Sequence, residues 1–132
     1  MARARPLSPF LSIYRWYATM ATSIVHRVTG IGLALGTLLL AWWLIAAASG
    51  PEAYQMFSGI AQSWLGQFLL FGFTWALMFH LLNGIRHLAW DMGYGYTPAK
   101  ANRNSWIVIV LSVVLTVAAF AVAAMGHGGY NR

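Results

Sequence analysis

Three stretches of this chain are apolar over lengths that only a bilayer requires. Residues 28–48 run for 21 positions without an ionisable side chain. At about 1.5 Å per helical residue that stretch crosses the ~30 Å hydrocarbon layer. Residues 106–125 form a second run of 20, interrupted among the apolar positions only by Ser112 and Thr116, whose hydroxyls can bond back to helix carbonyls. Its eleven Leu, Ile, Val or Phe residues, at roughly −0.3 to −0.6 kcal/mol each, favour insertion without a partner. The middle stretch differs. Residues 65–79 are apolar apart from Gln67 and Thr74, and then His80, Asn83, Arg86 and His87 follow. The pattern predicts an all-α integral membrane protein with three transmembrane helices over about 22–48, 64–90 and 105–126. These make one membrane-anchor domain over residues 1–132. Ser49-Gly50-Pro51-Glu52 reads as a turn. Tyr54, Phe57 and Ile60 within 53–63 lie at the spacing of a short interfacial helix, and residues 91–105, with Gly93, Gly95 and Pro98, read as the second loop.

Composition agrees with this pattern: 132 residues, 60% hydrophobic and 8% charged, exclude an ordinary water-soluble domain. The formal charge of +6 comes without the basic stripe that nucleic acid would need, so no nucleic-acid partner is expected. The basic residues instead set topology. Arg3, Arg5 and Arg15 precede the first span, Lys100 and Arg103 lie in the second loop, and the first loop has only Glu52. That places the N-terminus on the cytoplasmic side of a bacterial inner membrane, with the matrix side of a mitochondrial inner membrane as the alternative. The C-terminal tail, with His127 and Arg132, falls on the far side. Absence of cysteine removes disulfides, thiolate metal sites and Cys-ligated iron–sulfur clusters. No phosphate-binding loop is present, so any enzymatic role is that of a subunit.

An ionisable group within a span is a functional candidate because its burial costs about 2.5 to 3.5 kcal/mol even on the mild insertion scale. In the middle helix His80, Gly84, His87 and Asp91 recur at i, i+4, i+7 and i+11 and share one face. His80 is the deepest of them, and it suits a proton relay, an interhelical hydrogen bond or axial ligation of haem iron. Gly84, one turn on, clears that face for a flat macrocycle and favours haem. His87 is read as an interfacial residue paired with Asp91. At the start of the first span, Ser23 and Arg27 are i, i+4 neighbours with His26 beside them, a set of donors without a carboxylate. Haem propionates could supply the missing anions, and a quinone carbonyl could accept from Ser23 or Arg27. His26 counts as about one turn into its span and His80 as nearly three, so their levels differ by several ångströms. One iron ligand is therefore expected from another chain. Gly32 and Gly36 form a GxxxG spacing that lets a second helix approach. Tyr14, Trp16, Tyr17, Trp42, Trp43, Trp64, Trp90, Tyr94, Tyr96 and Trp106 sit near span ends as interfacial anchors.

Arg5-Pro6-Leu7-Ser8-Pro9, Ile13-Tyr14-Arg15, Ser23-Ile24-Val25-His26-Arg27-Val28-Thr29-Gly30 and His80-Leu81-Leu82-Asn83-Gly84-Ile85-Arg86-His87-Leu88-Ala89-Trp90-Asp91 together resemble the cytochrome b membrane-anchor subunits of succinate dehydrogenase, respiratory complex II. The resemblance covers nearly the whole chain, departing at Phe10, where relatives often carry His. It implies that His80 is an axial ligand of haem b, the metal-binding residue, with the opposite ligand from a second small membrane-anchor subunit that completes the helical bundle. It further implies that Ser23 and Arg27 help bind ubiquinone, that His26 and Arg27 lie near the haem propionates, and that a flavoprotein and an iron–sulfur subunit dock on the anchor. Electrons then pass from succinate to quinone, with succinate oxidised on the partners. Two other classes stay open: a small proton-conducting or transport subunit using the intramembrane histidines, and a purely structural anchor.

Overall fold

The computed structural model describes residues 18–95 and 97–130. The N-terminal motifs around Arg5 and Tyr14, with Arg3, Arg15, Trp16 and Tyr17, lie outside the described residues, as do Tyr96 and Arg132. Four helices follow one another: α1 (Ala18–Ser49), α2 (Pro51–Gln62), α3 (Trp64–Asp91) and α4 (Pro98–Tyr130). Of these α1, α3 and α4 are long and apolar enough to cross a membrane, and among the described residues there is no strand.

The joints follow from local chemistry. Gly50, at φ 118°, holds a backbone conformation that a Cβ would strain, and it lets the chain turn sharply from α1 into α2. Pro51 then opens α2 where its missing N–H costs nothing. Ser63 serves both neighbours: its backbone N–H bonds the Ile60 carbonyl at the end of α2, and its Oγ accepts from the Gly66 N–H as the N-cap of α3. Trp42 and Phe57 meet edge to face at 4.9 Å, fastening α2 against α1. α2 starts two residues before the expected interfacial helix and buries none of its residues.

The largest departure from the pattern lies at the second loop. α4 begins at Pro98 instead of near 105, because Thr97 accepts the Ala101 N–H at 2.8 Å and Pro98 takes the first helical position. Lys100 and Arg103 therefore belong to a helix. The remaining connection is 92–97, with Gly93 and Gly95 at positive φ and the Trp90 indole donating to the Gly95 carbonyl at 3.1 Å.

The interior inverts the order of a soluble protein. The buried apolar residues are Ala46, Ala76, Phe79, Ala101 and Val108, whereas Thr22, Thr29, Asn83, Arg86, Ser105, Ser112 and Thr116 are buried and polar. Most large Leu, Ile, Val and Trp side chains point outward. In lipid this arrangement is stable, since tails solvate the outer face and the polar groups find partners between helices. Gly36 lets Phe73 of α3 press onto α1: a Cβ there would fall 2.0 Å from the Phe73 ring, whereas one at Gly32 would meet nothing within 4 Å. The GxxxG spacing is thus used at Gly36 inside the chain.

Candidate functional site

The polar residues of α1 and α3 meet where the two helices run antiparallel. His80 of α3 lies across from Thr29 and Gly30 of α1. A Cβ on Gly30 would come within 3.3 Å of the His80 Cε1 atom, so glycine lets the imidazole seat against the α1 backbone. The Thr29 hydroxyl donates its single proton to the His26 carbonyl at 2.9 Å and lies 3.4 Å from Nδ1 of His80. With that proton committed, Thr29 Oγ1 offers His80 only an acceptor, an arrangement that suits a ring protonated on Nδ1 with Nε2 available as a ligand. This is the tautomer that a metal-ligating histidine needs, with a neutral oxygen orienting the ring from behind.

Here one expectation is corrected. The imidazoles of His26 and His80 are not several ångströms apart in depth: their centroids are 4.0 Å apart and the planes lie 8° from parallel. α1 reaches at least to Ala18, so His26 is more than two turns into its helix. The expected start near residue 22 misplaced the level, because the helix is already formed at Ala18 and Thr22 is buried in its packing. A face-to-face stack still prevents the pair from clamping one iron, which needs ring nitrogens directed at each other. His87 extends the stack, 5.4 Å from His26.

His87 also departs from expectation. Its Nδ1 donates to the Asn83 carbonyl at 2.8 Å, one turn back on its own helix, and among the described residues it forms no ion pair with the exposed Asp91. Ser23 and Arg27 do come together. With Ile24 they form one wall of a cleft of about 360 Å³, whose other wall is Arg86, His87 and Trp90 of α3. His26 does not line the cleft; its ring stacks on His80 and lies 5.4 Å from that of His87, which does. Gly84 has open space where a Cβ would stand, so the face of α3 that carries His80 is unobstructed one turn on.

Two buried residues escaped the sequence reading as site residues. Arg86 is 6% exposed; Nη2 donates to the Thr22 hydroxyl at 2.9 Å, Nη1 donates to Ser105 of α4, and the guanidinium lies 4.5 Å from the centre of the Trp90 ring. Asn83, fully buried, has no side-chain partner for its amide, and neither has His26 Nδ1. Their signal was weak, since Thr22 and Ser105 look like ordinary helix residues until α4 packs beside α1.

The donor set fits a haem with acidic substituents: an imidazole whose Nδ1 faces a hydroxyl, an open helix face beside it, two arginines and no carboxylate lining the cleft. Comparison with known proteins agrees. The family described as succinate dehydrogenase/fumarate reductase transmembrane subunit matches residues 1–119. The chain is 46% identical over 113 residues to the succinate dehydrogenase cytochrome b556 subunit of Paracoccus denitrificans, covering 86% of this chain and 87% of that one. It is 40% identical to the cytochrome b556 subunit of Rickettsia felis, covering 86% and 88%. Against the mitochondrial cytochrome b560 subunit of Sus scrofa it is 40% identical over 118 residues, covering 86% and 68%. The chain belongs to the succinate dehydrogenase/fumarate reductase transmembrane subunit family, as a cytochrome b membrane subunit of complex II.

Proposed function

We propose that this chain binds haem b through His80, shares that haem with a second small membrane-anchor subunit, and forms one wall of a ubiquinone site. It docks an iron–sulfur subunit and a flavoprotein that oxidises succinate. The observation that carries this reading is the seat of His80: its Nδ1 lies 3.4 Å from the Thr29 hydroxyl, which donates to another residue, and the helix face one turn on at Gly84 is open. Because His26 stacks on His80 instead of opposing it, a further iron ligand would have to come from the partner. A haem held by His80 would supply one-electron storage.

The chain's own residues do the rest. The Ser23 hydroxyl and the Arg27 guanidinium, on one wall of the cleft, donate hydrogen bonds to quinone oxygens and stabilise the charge that builds there on reduction. Arg27 is exposed, and Trp90 and Ile24 supply apolar lining against which a quinone ring would pack. The cleft sits at the α1 end that positive residues assign to the cytoplasmic or matrix side, where a docked electron donor would stand. The inner membrane of a bacterium is the expected location, with the mitochondrial inner membrane as the alternative.

A proton relay through His80, His87 and Asp91 has less support. The imidazoles meet by their faces, and among the described residues no hydrogen bond joins one to another. A dithionite-reduced spectrum of the purified complex tests the haem: a b-type α band is expected, lost or displaced in His80→Ala. Arg27→Ala is expected to depress succinate:quinone turnover and leave succinate oxidation by a water-soluble artificial acceptor intact. Equal losses in the two assays would remove Arg27 from the quinone site.

A further inference from the structure

We propose that Arg86 is a further anion-receiving residue of this site: its buried guanidinium takes an oxygen carrying full or developing negative charge at the junction of α1, α3 and α4. The inference rests on the haem and quinone reading above and gives a specific role to a residue that reading left without one.

Three observations carry it. Arg86 is a permanent cation at 6% exposure, yet its partners are neutral: the hydroxyls of Thr22 and Ser105 and the face of Trp90. The chain's acids, Glu52 and Asp91, are both exposed, and among the described residues neither pairs with it. A buried charge without a counter-charge is costly, and hydroxyl dipoles do not neutralise it.

The donor count gives the second observation. Guanidinium has five N–H groups, of which Thr22 and Ser105 take two; Nε is buried and has no partner. Beside it Asn83, one turn back on the same helix face and fully buried, has an unpartnered amide. A snorkelling arginine would send its head to lipid phosphate, but this one is tied at both Nη atoms to helices on either side.

The third is placement. Arg86 lines the cleft that holds Ser23 and Arg27, and it also lines a second cavity of about 210 Å³ between α3 and α4, with Asn104 and Val108. Held by α1 and α4 and backed by Trp90, the cation is preorganised, which is where a charged group contributes most to anion stabilisation. One chemistry is required, an anionic oxygen, and two sources supply it: a haem propionate or a quinone oxygen as it gains charge.

The test uses the assembled complex with Arg86→Gln, which removes the charge, and Arg86→Lys, which keeps it without the fork. The haem midpoint potential is read by redox titration, and quinone KM and kcat by steady-state turnover. For a propionate, the potential falls in Arg86→Gln, because the lost cation favoured the reduced haem, and Arg86→Lys recovers part of the shift while quinone kinetics hold. For a quinone oxygen, KM rises or kcat falls by about ten- to a hundredfold, the value of a charge-assisted hydrogen bond, while the potential holds. An assembled Arg86→Gln complex that changes neither quantity overturns the proposal. So does failure of both variants to assemble, which would reduce Arg86 to a helix clamp. A wild-type complex without a b-type band, combined with normal quinone turnover in Arg27→Ala, would instead sink the underlying reading.

Discussion

At His80 the chemistry depends on a neighbour that carries no charge. The imidazole was readable as a candidate because an ionisable side chain deep in an apolar span demands a reason. Thr29 was not, since threonine is common in membrane helices and only its seat opposite His80 makes it an acceptor for the Nδ1 proton. Replacing it should therefore matter more than its polarity suggests. Thr29→Val keeps the shape and deletes the acceptor, and haem affinity is expected to fall by about 10- to 100-fold, as for other lost ligand-orienting contacts; haem content per complex after dialysis against apomyoglobin reads it. Gly30→Ala pushes on the same ring, because its Cβ would stand 3.3 Å from Cε1, and should displace the α band without abolishing it. His87 shows why an i, i+4 spacing to an acid is weak ground for pairing: its ring had a backbone carbonyl one turn back, at 2.8 Å, and used that.

Among the helices, the sequence located three spans, and the middle one, expected over 64–90, runs from Trp64 to Asp91. α1 starts at Ala18, before the expected 22, and α4 at Pro98, before the expected 105, because polar side chains can stay helical when a neighbouring helix takes their hydrogen bonds, as Arg86 does for Thr22 and Ser105. A rule that ends a span at the first polar residue misses this. Packing at Gly36 is equally invisible from spacing alone, since GxxxG does not say whether its partner is another chain or α3. Gly36→Ala would place a methyl 2.0 Å from the Phe73 ring. It should cost about 1–3 kcal/mol through forced separation of α1 and α3, seen as a lower thermal-inactivation midpoint of the detergent-solubilised complex. Gly32→Ala is the matched comparison, with no atom of this chain within 4 Å of the added carbon.

For the whole molecule, outward-facing apolar side chains and an inward polar seam make the lipid itself part of the fold. Three crossings, with the basic residues Lys100 and Arg103 following the second, predict that a reporter fused after residue 132 is active only when it folds on the periplasmic side. Alkaline phosphatase there should be active, and the same enzyme fused within 92–97 should not. The sequence by itself determined the membrane class, the number of spans, the family and the short set of ionisable residues worth testing. Each of these follows from local composition or motif, where the cost of charge in lipid leaves few choices. Tertiary structure alone decided that His26 stacks on His80, that the Thr29 hydroxyl lies against Nδ1 of His80, and that Arg86 is held between α1 and α4 without a counter-charge. Those outcomes depend on the depth and rotation of one helix against another, which side-chain packing sets and no single helix encodes.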